Sequence, residues 1–144
     1  MNETLEKFGY PATCVHESDH WAVTLRPNQA TLGALMLITK GEARSFGDLD
    51  AAAAQDLPGV ARRIEDVLKR LFDFRKINYL MLMMNDPQVH FHVLPRYPED
   101  KTFGGVTFDD PGWPARPHID HKTEIDDAVR AKLQAALAEA MRQS

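Results

Sequence analysis

At 144 residues, with 44% of them hydrophobic and 26% charged, the chain has the size and composition of one soluble globular domain that needs neither disulfide nor metal to hold a core. A formal charge of −4 excludes the broad basic face that a nucleic-acid polymer requires, but small phosphorylated ligands need only a few local cations and stay open. The lone Cys14 cannot pair within the chain, no apolar run near the start follows a group of cations, and no stretch reaches the roughly 18 apolar residues of a membrane span; the expectation is a cytoplasmic protein with no membrane partner.

Residues 1–13 carry little pattern and read as an entry loop ending in Tyr10-Pro11. Thr13 to His16 and His20 to Leu25 read as two strands, joined as a hairpin across the turn cluster Glu17-Ser18-Asp19. Arg26-Pro27-Asn28-Gln29 then breaks the pattern. The apolar run Leu35 to Ile38, bounded by Gly33 and by Lys40-Gly41, predicts a buried third strand. Asp48 or Asp50 can cap a helix opening at Ala51, and Pro58-Gly59 should kink or restart it, because proline cannot continue the hydrogen-bond ladder. Beyond it Val60, Ile64, Val67, Leu68, Leu71 and Phe72 mark one face of an amphipathic helix. Arg62, Arg63, Glu65, Asp66, Lys69 and Arg70 fill its wet side.

Ile77 to Met84 predicts a fourth strand, apolar enough to be covered on both faces, with its methionines serving packing. Asn85-Asp86-Pro87 is turn chemistry, and the sequence after it alternates. Val89, Phe91 and Val93 are apolar while Gln88, His90 and His92 are polar, a period of two that predicts a half-buried strand antiparallel to the fourth. Side chains at alternate positions share a face at roughly 7 Å spacing, so Gln88, His90 and His92 stand in a row above a core-facing set. Pro95 should end the strand, and Arg96 adds a permanent cation beyond it. Residues 98–121 hold Pro98, Gly104, Gly105, Pro111, Gly112, Pro114 and Pro117, which exclude long regular elements and leave a surface loop. Trp113 within it either plugs a core edge, the preferred reading, or packs over a ligand or a partner subunit. A last helix is expected over 123–142, opened by a Thr123–Asp126 capping box and striped by Ile125, Val129, Leu133, Leu137 and Met141.

On residue chemistry alone three readings of His90 and His92 stay open. They are satisfied surface histidines, or metal ligands with a third from His20, His118 or His121, or a nucleophile and a proton donor for phosphate chemistry.

The run Gln-Val-His-Phe-His-Val-Leu-Pro-Arg, residues 88–96, resembles the signature of the histidine triad (HIT) superfamily of nucleotide hydrolases and transferases, His-x-His-x-His followed by two apolar residues and often Pro-Arg. Anchored on Pro95-Arg96, its second and third histidines fall on His90 and His92, and the first on Gln88. Gly33 to Lys40 looks like the family's Gly-His-apolar-apolar-Ile-Pro-Lys strand, with Ala34 for histidine and Thr39 for proline. The order of elements over about 14–97 also matches. Within the family the chain looks most like short bacterial proteins that carry Asp-Pro-x-Val-His-Phe-His-Val and a downstream Asp-Pro-Gly-Trp-Pro, here Asp110 to Pro114.

The resemblance implies a single α+β domain over 1–144, a five-stranded antiparallel sheet carrying one main helix, with a C-terminal helix. It implies a homodimer that binds a nucleotide, a purine nucleotide by preference, and needs no cofactor and no metal. His90 would attack the α-phosphorus to give a nucleotidyl-histidine, and His92 would donate to a phosphoryl oxygen. Gln88 would take the place of the first histidine as an orienting amide that cannot supply a proton. Asn28, Lys40, Asn85, Arg96 and Trp113 are the candidate substrate contacts. The activity so implied is hydrolysis of a phosphoanhydride or phosphoramidate; nucleotidyl transfer, nucleotide binding without turnover, and a metal enzyme are the alternatives.

Overall fold

The computed structural model describes residues 1–143. Five strands form one antiparallel sheet: β1 (Cys14–Glu17), β2 (Trp21–Leu25), β3 (Leu35–Thr39), β4 (Lys76–Leu80) and β5 (His90–Arg96). They lie in the order β1-β2-β3-β5-β4, so the histidine strand is inserted between β3 and β4. Its register sets Ile38 opposite His90 and Met36 opposite His92 on one side, and Leu80 opposite His92 on the other. The two faces then follow from the period of two. One buries Trp21, Val23, Leu25, Leu35, Leu37 and Val93 against Val60, Ile64, Val67 and Leu68 of the main helix α2 (Ala51–Phe72) and Leu133 and Leu137 of α3 (Asp127–Gln143). The other presents Ala22, Met36 and Ile38, packed with Leu5, Phe8 and Tyr10, and the smaller group Ala30, Ala34 and Leu94 with Leu80 and Ile119. His90 and His92 lie on that second face, between its two apolar patches.

Several expectations are corrected. Residues 1–13 are not an open loop, because Glu3–Lys7 form a short helix α1. Asn2 caps it by accepting from Leu5 N–H at 2.8 Å, and its amide donates to the carbonyls of Thr39 and Gly41. Pro58 does not divide α2 into two elements: the helix runs unbroken from Ala51 to Phe72, opened by Asp50, which accepts from Ala53 N–H at 2.8 Å. Proline leaves the carbonyl of Ala54 without its usual donor, and the buried stripe on either side keeps the helix together. The fourth strand stops at Leu80. Met83 adopts a positive φ of 53° and Met84 is 77% exposed, so the methionine run is a connection at the sheet's outer edge and not a doubly covered strand.

The histidine strand continues through Pro95, which faces Ile77 of β4 after the ladder to β3 has ended at Val93; the missing donor falls where no strand needs it. Within 98–121 a small hairpin forms, β6 (Lys101–Phe103) and β7 (Val106–Phe108), turning on Gly104 and Gly105 at φ 59° and 79°, the left-handed conformation that a two-residue hairpin turn needs. The last helix begins at Asp127, not at 123. Its cap is Asp126 itself, accepting from Val129 N–H at 2.8 Å, and Thr123 and Ile125 lie before it.

Candidate active site

β5 supplies two imidazoles from one face of the sheet, and each is fixed by a different partner. Nδ1 of His90 lies 2.8 Å from the backbone carbonyl of Gln88. A carbonyl only accepts, so Nδ1 carries the proton and Nε2 is left with its lone pair. Nδ1 of His92 lies 3.2 Å from Nε of Arg26. A guanidinium only donates, so here Nδ1 holds the lone pair and Nε2 carries the proton. The rings stand edge to face with centroids 5.6 Å apart. Two neighbouring imidazoles thus offer opposite faces of the same chemistry, one a nucleophile and one a donor. Burial, then the Arg26 charge, then His90, holds His92 down at a pKa of about 4, against a smaller opposing effect of Asp86. The ring is therefore neutral at pH 7.

Both histidines open on a cleft of about 370 Å³. Its walls come from α1 (Lys7, Phe8), the turn after β2 (Arg26, Asn28), the connection before β5 (Met84, Asn85, Asp86) and the end of the long loop (Ile119, Asp120). The ring of Phe8 lies 6.3 Å from that of His90, and Lys7 pairs with Asp86 at 2.9 Å across the mouth. Oδ1 of Asn28 is buried and accepts no hydrogen bond, while its Nδ2 lies 3.5 Å from the carbonyl of Ile119.

The structure brings together only some of the residues picked from the sequence. His90, His92, Asn28 and Asn85 line the cleft; Gln88, Arg96, Lys40 and Trp113 do not. Gln88 is fully buried beneath α1, where its Oε1 accepts from the Thr4 backbone N–H at 3.0 Å and hydroxyl at 2.7 Å. Its Nε2 donates to Glu42 at 3.2 Å, so the amide serves the helix and not the phosphate face. Arg96 is 2% exposed and spends its fork on Asp110 at 2.7 and 3.1 Å, Asn78 at 2.8 Å and the carbonyl of Ala115 at 2.9 Å. It anchors the Asp110-Pro-Gly-Trp-Pro loop. Lys40 pairs with Glu17 and lines a separate cleft with His20 and Glu42. Trp113 is half-buried beside Lys76 of β4, whose Nζ sits 5.2 Å from its ring, and joins neither the core nor the cleft.

Among the described residues no three His, Cys, Asp or Glu side chains converge as metal ligands, so His20, His118 and His121 do not complete a set with His90 and His92. His121 instead meets Asp109 at 2.6 Å. Missed in the sequence were Arg26, Lys7, Phe8 and Asp86. Arg26 carried one signal, standing two positions beyond Thr24 on the alternation that sets the histidine face.

A family model described as HIT domain matches residues 7–99. No curated protein matches the chain. Among solved structures, a histidine triad protein of Bradyrhizobium japonicum is 21% identical, the match covering 99% of this chain and 95% of that one at a TM-score of 0.72. A histidine triad protein of Marinobacter aquaeolei is 22% identical over 99% and 98% of the two chains, at 0.70. A hypothetical histidine triad nucleotide-binding protein of Sulfolobus tokodaii is 17% identical over 91% and 84%, at 0.68. At these identities the likeness is one of fold.

Proposed function

We propose that this chain, which belongs to the HIT domain family, is a nucleotide hydrolase that cleaves a phosphoanhydride or phosphoramidate bond at the α-phosphate. The observation that carries the reading is the pair of opposite tautomers on one strand face, open to one cleft. Nε2 of His90 attacks the α-phosphorus; a P–N bond forms as the bond to the leaving group breaks, and the leaving group departs with its electron pair. The Gln88 carbonyl holds Nδ1–H and favours the imidazolium that attack creates. Nε2–H of His92 donates to a non-bridging oxygen as charge builds there. Water then attacks the phosphorus of the nucleotidyl-histidine; a P–O bond forms as the P–N bond breaks, its electron pair returns to Nε2, the proton of the water passes to solvent, and neutral His90 and the nucleoside monophosphate are released. Asn28 and Asn85 are the polar groups available to sugar and phosphate.

The same reading takes a purine nucleotide as substrate, a reducing cytoplasmic setting and a homodimer. The outer strand β4 supports the dimer: beside it lies an apolar cleft of about 260 Å³ lined by Leu37, Phe46, Leu57, Ala61, Tyr79 and Phe91, with Phe46 58% exposed. Among the described residues no helix is long and apolar enough to cross a membrane.

The test is release of nucleoside monophosphate from a diadenosine polyphosphate and from an adenosine phosphoramidate, by wild type and His90→Ala together. Turnover by wild type with a loss of about 10⁴-fold or more in His90→Ala is expected for a missing nucleophile. Equal rates in the two proteins refute the assignment. Tight nucleotide binding with no product from either would make the chain a binding module.

A further inference from the structure

Arg26 is buried at 8% exposure, and among the described residues it forms no ion pair. A guanidinium in that position costs free energy unless its surroundings make use of the charge. Its three nitrogens are each committed: Nη1 donates to the carbonyl of Asn28 at 2.8 Å, Nη2 to the carbonyl of Ile119 at 3.1 Å, and Nε to Nδ1 of His92 at 3.2 Å. Two backbone carbonyls, one from the turn after β2 and one from the far end of the long loop, therefore aim the Nε–H at a single imidazole nitrogen.

We propose that Arg26 is the positioning residue of the site, setting His92 as the Nε2–H tautomer and orienting it so that the phosphoryl oxygen always meets a proton-bearing nitrogen. The role rests on the hydrolase reading for its last step, but the tautomer is a property of the resting protein. Without Arg26 the neutral ring is free to exchange its proton between nitrogens, and in one of the two forms Nε2 carries a lone pair that repels the phosphate. The fixed charge also keeps the ring from taking a second proton. The other titratable or charged groups about this part of the cleft are His90 on the same strand, the Lys7–Asp86 pair across the mouth, and Asp120 beside the guanidinium. The other cation of the cleft, Lys7, is already paired with Asp86, so removing Arg26 takes away the charge that acts on His92.

The test is nitrogen-15 NMR of the imidazoles in the full chain, for wild type, Arg26→Met and Arg26→Gln, with steady-state kinetics on the same samples. In wild type His92 should show one tautomer, protonated at Nε2, with no titration above pH 5. Arg26→Met should show mixed tautomers and a His92 titration moved up toward the ordinary range. Its kcat should fall roughly 10–100-fold, with KM changed less than about threefold, since a transition-state contact is weakened and binding is spared. Arg26→Gln, which keeps an N–H donor without the charge, should recover most of the tautomer and part of kcat. If Arg26→Met does not fold, the Gln variant and the wild-type spectrum decide. A wild-type His92 protonated at Nδ1, or a tautomer and titration unmoved in both variants, overturns the proposal. Because the imidazole spectra need no turnover, an inactive wild type would sink the hydrolase reading and leave the spectra to judge Arg26.

Discussion

The replacement of a signature histidine by Gln88 is best tested through the helix it holds. The N-terminal N–H groups of a helix have no partner within it; in α1, Asn2 takes the N–H of Leu5 and Gln88 takes that of Thr4. Gln88→Ala removes this acceptor from a fully buried position. The Thr4 hydroxyl keeps one contact, accepting from the Gln88 backbone N–H at 3.1 Å, but the Thr4 N–H is orphaned. One buried unsatisfied donor plus a small cavity should cost about 2–4 kcal/mol. At about 3 °C per kcal/mol for a domain of this size, Tm should drop by roughly 6–12 °C.

Urea unfolding gives the stability, and amide exchange at Thr4 locates the damage. The companion Thr4→Val removes the hydroxyl from the other side, so the double variant should cost about 1 kcal/mol less than the two singles together. Since Lys7 and Phe8 line the cleft, KM should also rise in Gln88→Ala. An unchanged unfolding midpoint with full protection at Thr4 would refute the idea that Gln88 serves α1.

Asp110→Ala should destabilise by about 3–5 kcal/mol, because it leaves the Arg96 guanidinium, at 2% side-chain exposure, without its counter-charge; urea unfolding checks this, and Asp110→Ala with Arg96→Met should recover part of the loss. Stability should fall as pH drops from about 6.5 toward 4, because unfolded His92 takes up a proton before the native ring, held near 4, does. The half-buried ring is screened by solvent, so the loss attributable to it is on the order of 1–2 kcal/mol. Comparing the pH dependence of unfolding in wild type and His92→Gln isolates that share, and identical profiles would count against it.

Which parts of this were legible in the sequence depends on how local their causes are. The strands β2 and β3 and the Asp50 cap are set by period and by neighbours within four residues, and each is found within a residue of its reading; β1 lies one residue later, at Cys14–Glu17, and the α2 stripe holds except at Leu71, which is 37% exposed. The row on β5 is found in part: alternation sends His90 and His92 to one side, while Gln88, which precedes the strand, is taken up by Thr4 and Glu42. The end of β4 is not local: Leu80 and Met81 are equally apolar, and only the edge position and the positive φ at Met83 stop the strand. Helix α1 is five residues long and stands by tertiary contacts, although Asn2 followed by Glu3 and Glu6 was a readable start signal. Gly104-Gly105 was a readable hairpin turn. The arginines show the limit most clearly. Arg96 adjoins the signature and Arg26 does not, yet the nearer one is consumed by Asp110, 14 residues on, and the farther one reaches His92 across 66 residues. Residue type gives an arginine its fork and charge, while pairing across the sheet decides where they go.

That division of labour has a consequence for chemistry. With Gln88 committed to α1 and Arg96 to the loop, the cleft holds His90, the proposed nucleophile, and His92, the proposed donor, which is too weakly basic to exist as imidazolium at neutral pH. The Asp86 carboxylate is paired with Lys7. None of these can readily hand a full proton to a departing amine. The proposed hydrolase should therefore favour leaving groups that depart as stable anions, a phosphate or nucleotide over an alkylamine. A general acid contributes typically 10²–10⁴-fold, so adenylates with a leaving group of pKa near 7 should turn over at least about 100-fold faster than alkyl phosphoramidates. Rates across a series of such leaving groups measure this directly. A flat dependence would mean that a proton donor acts in the cleft after all, and restoring histidine by Gln88→His should not flatten it, because that side chain sits under the helix.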